Sequence, residues 1–185
     1  MDSINDTIIT DAVAILRGIE ERCRHAATGL PRKEIRQGNV WSGIAFRLGS
    51  NRMLAPLTDV VEILRYPDLS VVPNTYFWVR GIANVRGKLL PVIDLNGYLH
   101  GSLTAVTFRT RVLVVDCGGV YSGIVVDDVT GLRHLLDEAH VDELPDIDES
   151  LRPYVTHGYR IDNEISGIFD LFSLAESREY LKTAV

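Results

Sequence analysis

Gly81–Leu95 reads GIANVRGKLLPVIDL, two short apolar segments meeting at a tight turn. Ile82, Ala83 and Val85 lead in, Arg86-Gly87-Lys88 make the turn, and Leu89-Leu90-Pro91-Val92-Ile93 lead out. Apolar runs of strand length around a glycine predict a β-hairpin, with the glycine supplying positive φ. Asn84 and Arg86 lie two apart, which predicts that both side chains leave one face of the strand. An amide and a guanidinium on an apolar hairpin need a reason.

The residues before the hairpin also have a period of two. Ile44, Phe46 and Leu48 alternate with Gly43, Ala45 and Arg47, and Gly49-Ser50-Asn51 supplies a turn. Met53–Leu57 and Val60–Leu64 are strand candidates, followed by a loop over Tyr66–Pro73. Asn96–His100 has room for one helical turn. The pattern then restarts with a strand at Arg111–Val115, a turn at Cys117-Gly118-Gly119 and a long strand at Tyr121–Val129. Ile44 corresponds to Val112, Asp59 to Asp127, and Ile93-Asp94-Leu95 to Phe169-Asp170-Leu171. A second hairpin, Tyr159–Ser166, turns at Asp162-Asn163. The shared order of features predicts a mainly β protein of two similar lobes, roughly 41–100 and 108–171. Each lobe would be a small barrel of about five strands, closed so that few edges stay open.

The flanks differ. Asp11–Thr28 places Val13, Leu16, Ile19, Cys23 and Ala26 at helical spacing, and Gly29-Leu30-Pro31 is a stop signal. Residues 1–40 therefore form an extension of helix and linker. Leu174, Ala175, Arg178 and Leu181 predict a closing helix over 172–185. Seven carboxylates in Asp137–Glu149 suit a solvated loop.

Composition narrows the function. The 185 residues carry a net charge of −6, against a surface that coats nucleic acid. The two cysteines, Cys23 and Cys117, provide neither a disulfide framework nor a paired metal motif. The first residues, rich in aspartate, do not resemble a secretory signal, and no apolar run has the ~20 residues of a membrane span. The expectation is a cytoplasmic protein. The five histidines fall in no metal-ligand spacing, and no phosphate loop or nucleophile elbow is present. The expected cofactor, metal and catalytic sets are empty. Phe77-Trp78 with Arg80 leaves a nucleic-acid-binding barrel as an alternative, against the charge balance.

Four stretches and one proline carry a family resemblance: VVEILRYPDL (60–69) with Pro73 beyond it, RGIANVRGKLLPVIDL (80–95), SGIVVDDV (122–129) and GIFDL (167–171). Together they resemble the CheW family of chemotaxis coupling proteins. ERCRHAATGLP (21–31), WSGIAFRLG (41–49) and VRGIANVRG (79–87) resemble the branch serving type IV pilus, or twitching, motility. The resemblance implies two five-stranded SH3-like barrels and a non-enzymatic adaptor. Its implied partners are the regulatory domain of a CheA-type histidine kinase and the cytoplasmic tip of a chemoreceptor-like protein. That would place it beside a membrane receptor array, with no membrane insertion and no nucleic acid. General chemotaxis coupling is the alternative within the family.

Matching positions imply site residues. Arg86 is the first candidate for a protein contact, with Glu62 as the acidic partner holding it. Asn84 and Gly87 would set the turn. Pro91, Asp94 and Leu95 match a structural signature, Asp94 as a turn cap. Val126 and Asp127 match the second-lobe signature. Arg86 either touches a partner or serves only as an ion pair holding the lobes in register. The second hairpin lacks the NVRG element, which directs attention to Asn84 and Arg86.

Overall fold

The computed structural model describes residues 40–184. The helix expected at Asp11–Thr28 lies outside them. Eleven strands alternate with short turns among the described residues. β1 (Val40–Leu48) and β2 (Asn51–Pro56) form a first hairpin, and a 3-10 turn leads to β3 (Val60–Arg65). β4 (Val79–Val85) and β5 (Lys88–Asp94) form the hairpin of the quoted stretch, and α1 (Leu95–His100) follows directly. The second half supplies β6 (Arg111–Cys117), β7 (Val120–Val126) and β8 (Asp128–Leu136). Then come β9 (His140–Val141), β10 (Val155–Ile161) and β11 (Glu164–Phe169). Two short helices, α2 (Leu171–Glu176) and α3 (Arg178–Ala184), replace the single closing helix expected over 172–185.

The repeat is present, but its halves do not form separate lobes. One sheet runs β8-β1-β2-β11-β10-β9 and the other β3-β6-β7-β5-β4. Each takes two strands from one half of the chain and three or more from the other. Matched strand for strand, the two orders are the same, with β9 as a short addition that makes the first sheet six-stranded. The parallel contacts match as well: β5 lies beside β7, and β11 beside β2. The contiguous lobes 41–100 and 108–171 are thus corrected to two sheets built by strand exchange.

The physical reason lies in strands apolar on both faces. Ile44, Ala45 and Phe46 are all buried, as are Val112, Leu113, Val114 and Val115. One face of such a strand lines its own barrel, and the other needs a second cover. Ala83, Leu90, Val92, Val112, Val114 and Val125 fill the five-stranded sheet. Ala45, Leu54, Tyr159 and Ile168 fill the six-stranded one, with Trp41 stacked on Tyr159. The largest cluster joins the sheets, uniting Phe46, Leu48 and Met53 with Ile93, Leu113, Ile124, Phe169 and Tyr180. The chain crosses between sheets after Pro56 and again at Asp127. The long strand expected over Tyr121–Val129 therefore breaks into β7 and β8.

The acidic stretch is not simply a solvated loop. Pro145 and Ile147 are buried, Asn51 Nδ2 donates to Asp148 Oδ2 at 2.8 Å, and Arg160 lies 3.8 Å from Glu143. Its apolar residues anchor it to the six-stranded sheet while its carboxylates stay outside.

Candidate functional site

The β4–β5 turn is tighter than the sequence suggests. Val85 pairs with Lys88, leaving a two-residue loop of Arg86 and Gly87. Both are left-handed, with φ of 52° and 83°. Two such residues in sequence match the right-handed twist of the flanking strands, but a side chain at the first position is strained. Arg86 thus leaves the strand, and the expectation that it shares a face with Asn84 fails. Asn84 instead accepts a hydrogen bond from the Gly87 N–H at 2.9 Å, bracing the turn from within.

Arg86 Nη2 donates to Glu62 Oε1 at 2.7 Å. The Arg86 side chain is 81% exposed and that of Glu62 27%. This charge-assisted contact links the hairpin tip to the edge strand β3. Ser70 and Ile82 make backbone hydrogen bonds at 2.9 Å along the free edge of β4. Val61 and Ile63, neighbours of Glu62, point outward and are exposed, as is Leu89 beside the turn. An exposed Leu89 beside the turn and a guanidinium held at its tip suit contact with another protein.

The remaining motif residues make contacts within the fold. Asp94 is completely buried and caps α1, accepting from the Gly97 N–H at 3.0 Å. It also accepts from the Thr104 N–H at 3.0 Å and the Thr104 hydroxyl at 2.9 Å. Arg80 Nη1 stands 3.5 Å from this carboxylate, and Arg80 Nε donates to the Tyr66 hydroxyl at 2.9 Å. Leu95 and Val126 belong to the intersheet core. Pro91 sits opposite Ile82, one residue before the parallel pairing of β5 with β7 begins at Val92. Its missing N–H therefore costs no contact with β7. Asp127 accepts from the Gly49 N–H at 2.6 Å and from Asn96 Nδ2 at 3.2 Å, tying the β1–β2 turn to α1.

Asp170 repeats the role of Asp94 at the start of α2. It accepts from the N–H groups of Phe172 and Ser173 at 3.0 Å and from the Ser173 hydroxyl at 2.6 Å. Burial alone would raise its carboxyl, but the Ser173 hydroxyl and the two N–H groups outweigh it and hold the carboxyl below 3.8. Burial pushes the Cys117 thiol up to about 11, helped by the charges of Asp59, Asp116 and Asp170. Sequence reasoning missed Thr104 and Arg80 as partners of Asp94; neither lies at a spacing that points to it. Among the described residues, no group of three or more His, Cys, Asp or Glu side chains could hold a metal ion. Nor is any described helix long and apolar enough to cross a membrane.

Residues 42–179 match the family model of the CheW-like domain. Protein PilI of Pseudomonas aeruginosa is 37% identical over 171 residues, covering 92% of this chain and 95% of that protein. Protein FrzA of Myxococcus xanthus is 37% identical over 90 residues, 49% of this chain and 56% of that one. The crystal structure of the scaffolding protein TtCheW from Thermoanaerobacter tengcongensis superposes with a TM-score of 0.65 at 23% identity. It spans 76% of this chain and 96% of that one, and shows the shared fold.

Proposed function

The chain belongs to the CheW-like domain family, and on that premise we propose that it is a coupling adaptor in signalling that controls type IV pilus motility. Its work is recognition and not chemistry. One partner is the cytoplasmic tip of a chemoreceptor-like protein, and the other is the regulatory domain of a CheA-type histidine kinase. Residues 41–175 form the coupling body, and residues 1–40 are an extension that adjusts partner choice. The adaptor lies in the cytoplasm beside a receptor array.

The observation that carries this reading is the Glu62–Arg86 pair at 2.7 Å. It holds a guanidinium at an exposed hairpin tip, and Val61, Ile63 and Leu89 are uncovered on the same sheet. Contacts of this size are modest singly, and repetition in an array supplies avidity.

Receptor-tip and kinase regulatory fragments, used as separate baits with the full chain, test the reading. Both are expected to bind. Arg86→Glu is expected to weaken one of them by roughly tenfold or more while the melting temperature holds. Wild-type binding of both baits by the folded variant would remove Arg86 from the interface. A wild-type chain that binds neither bait would end the adaptor reading.

A further inference from the structure

A second surface lies at the other end of β3. Arg65 ends that strand and Arg111 begins β6, and the two are direct cross-strand partners. Like charges so placed have side-chain bases about 5 Å apart and repel. Among the described residues, neither lies within ion-pair distance of a carboxylate, in a chain of net charge −6. Beside them, Phe108 is 85% exposed, and Arg109 lies over its ring at 5.5 Å. A hollow of about 440 Å³ is lined by Arg65, Tyr66, Val106, Phe108, Thr110 and Arg111.

The loop that presents Phe108 is braced. Thr110 is buried, and its hydroxyl accepts from the Thr107 N–H at 2.8 Å. The Thr110 N–H donates to the Thr107 carbonyl at 3.2 Å. Arg111 Nη1 donates to the carbonyls of Phe108 at 2.8 Å and Thr110 at 2.9 Å. The aromatic ring is therefore held out in water by a fixed backbone. Little ordering entropy remains to be lost when a partner covers it.

We propose that this surface docks an acidic helical segment of the receptor-type partner. An apolar residue of the segment covers Phe108 and Val106. A carboxylate on the next turn accepts from Arg65 and Arg111, and a second one meets Arg109. Two adjacent unneutralised arginines select an anion, and the neighbouring aromatic and valine select an apolar group beside it. A helix offers both at spacings of three and four residues. The inference rests on the adaptor reading and adds a contact separate from the Arg86 hairpin.

Phe108→Ala and Arg109→Glu, each in the full chain, test it against the purified receptor tip and kinase regulatory fragment. Both side chains are exposed, so unchanged melting curves are expected. Affinity for the receptor tip is expected to fall roughly tenfold or more in each variant, with the kinase fragment bound as by wild type. Added salt is expected to weaken the wild-type complex more than the Arg109→Glu complex. Receptor binding unaffected by both variants overturns the proposal and leaves the adaptor reading standing. So does loss confined to the kinase fragment. Binding to phosphatidylglycerol vesicles or to a single-stranded oligonucleotide that both variants abolish, with the receptor tip unaffected, also overturns it. If the wild-type chain binds neither protein fragment, the adaptor reading fails and this contact fails with it.

Discussion

Arg86 stands at a left-handed position that asparagine or glycine fills with less strain. Its exposed pair with Glu62 stabilises the fold by about 0–1 kcal/mol. Arg86→Asn therefore separates two roles. If the guanidinium serves a partner, the variant is expected to melt at or above the wild-type temperature and bind more weakly. A loss above about 1 kcal/mol in urea unfolding would instead assign the pair to holding the fold. Asp94 is a different case, because its buried carboxylate serves Gly97, Thr104 and Arg80 together. Asp94→Ala leaves those donors stranded and is expected to cost about 3 kcal/mol. Asp170 adds a pH dependence. Its folded pKa lies below the ordinary 3.8, so its stabilisation is complete well above that value and is lost as pH falls through the lowered one. Asp170→Ala is expected to cost about 1 kcal/mol at pH 7, a difference from wild type that shrinks below about pH 4. At this scale the sequence pattern exposed the turn residues and the Asp94 cap, and the repeat set Asp170 at the matching position. It could not expose the Arg65–Arg111 pair, because two residues far apart in sequence become neighbours only once register is known.

The hairpins and their turns were legible as elements because each sets short strand-length runs around its own turn residues. Arg86-Gly87 and Asp162-Asn163 both close two-residue loops of left-handed residues. The end of the chain was harder, since one helical stripe does not reveal a break at Ser177. That break lets Tyr180 of α3 enter the intersheet core, where its hydroxyl lies 2.7 Å from that of Ser122. Tyr180 is completely buried, and burial pushes its phenol well above the usual range. Tyr180→Ala is expected to destabilise by about 3–5 kcal/mol, while Tyr180→Phe loses only about 1 kcal/mol. Equal losses in the two variants, measured by urea unfolding, would place the anchor in the hydroxyl rather than the ring. On β6, the buried Cys117 thiol stays protonated at pH 8. In a Cys23→Ser background it is expected to react with a maleimide only as fast as the protein unfolds.

For the whole molecule, the repeat was legible and the exchange was not. Two similar halves can each close on themselves or trade strands, and both arrangements preserve the same order of features along the chain. The decision rests on β1, β2, β6 and β7, which are buried on both faces and need cover from the opposite half. A chain cut between Gly101 and Thr104 is therefore expected to give two fragments that lack cooperative unfolding alone and regain it when mixed. Near-UV circular dichroism reads this directly. A first fragment that folds by itself would contradict the exchanged architecture.

The same exchange sets an order in time. During synthesis β1 and β2 leave the ribosome before the strands they need, for β1 pairs with β8 and β2 with β11. Ile44 waits for Leu132, and Leu54 for Ile168. Only their shared hairpin can form early. The nascent chain thus carries this hairpin half-covered until β8 and then β11 have been made, and the first sheet is completed by the later strands rather than the earlier ones.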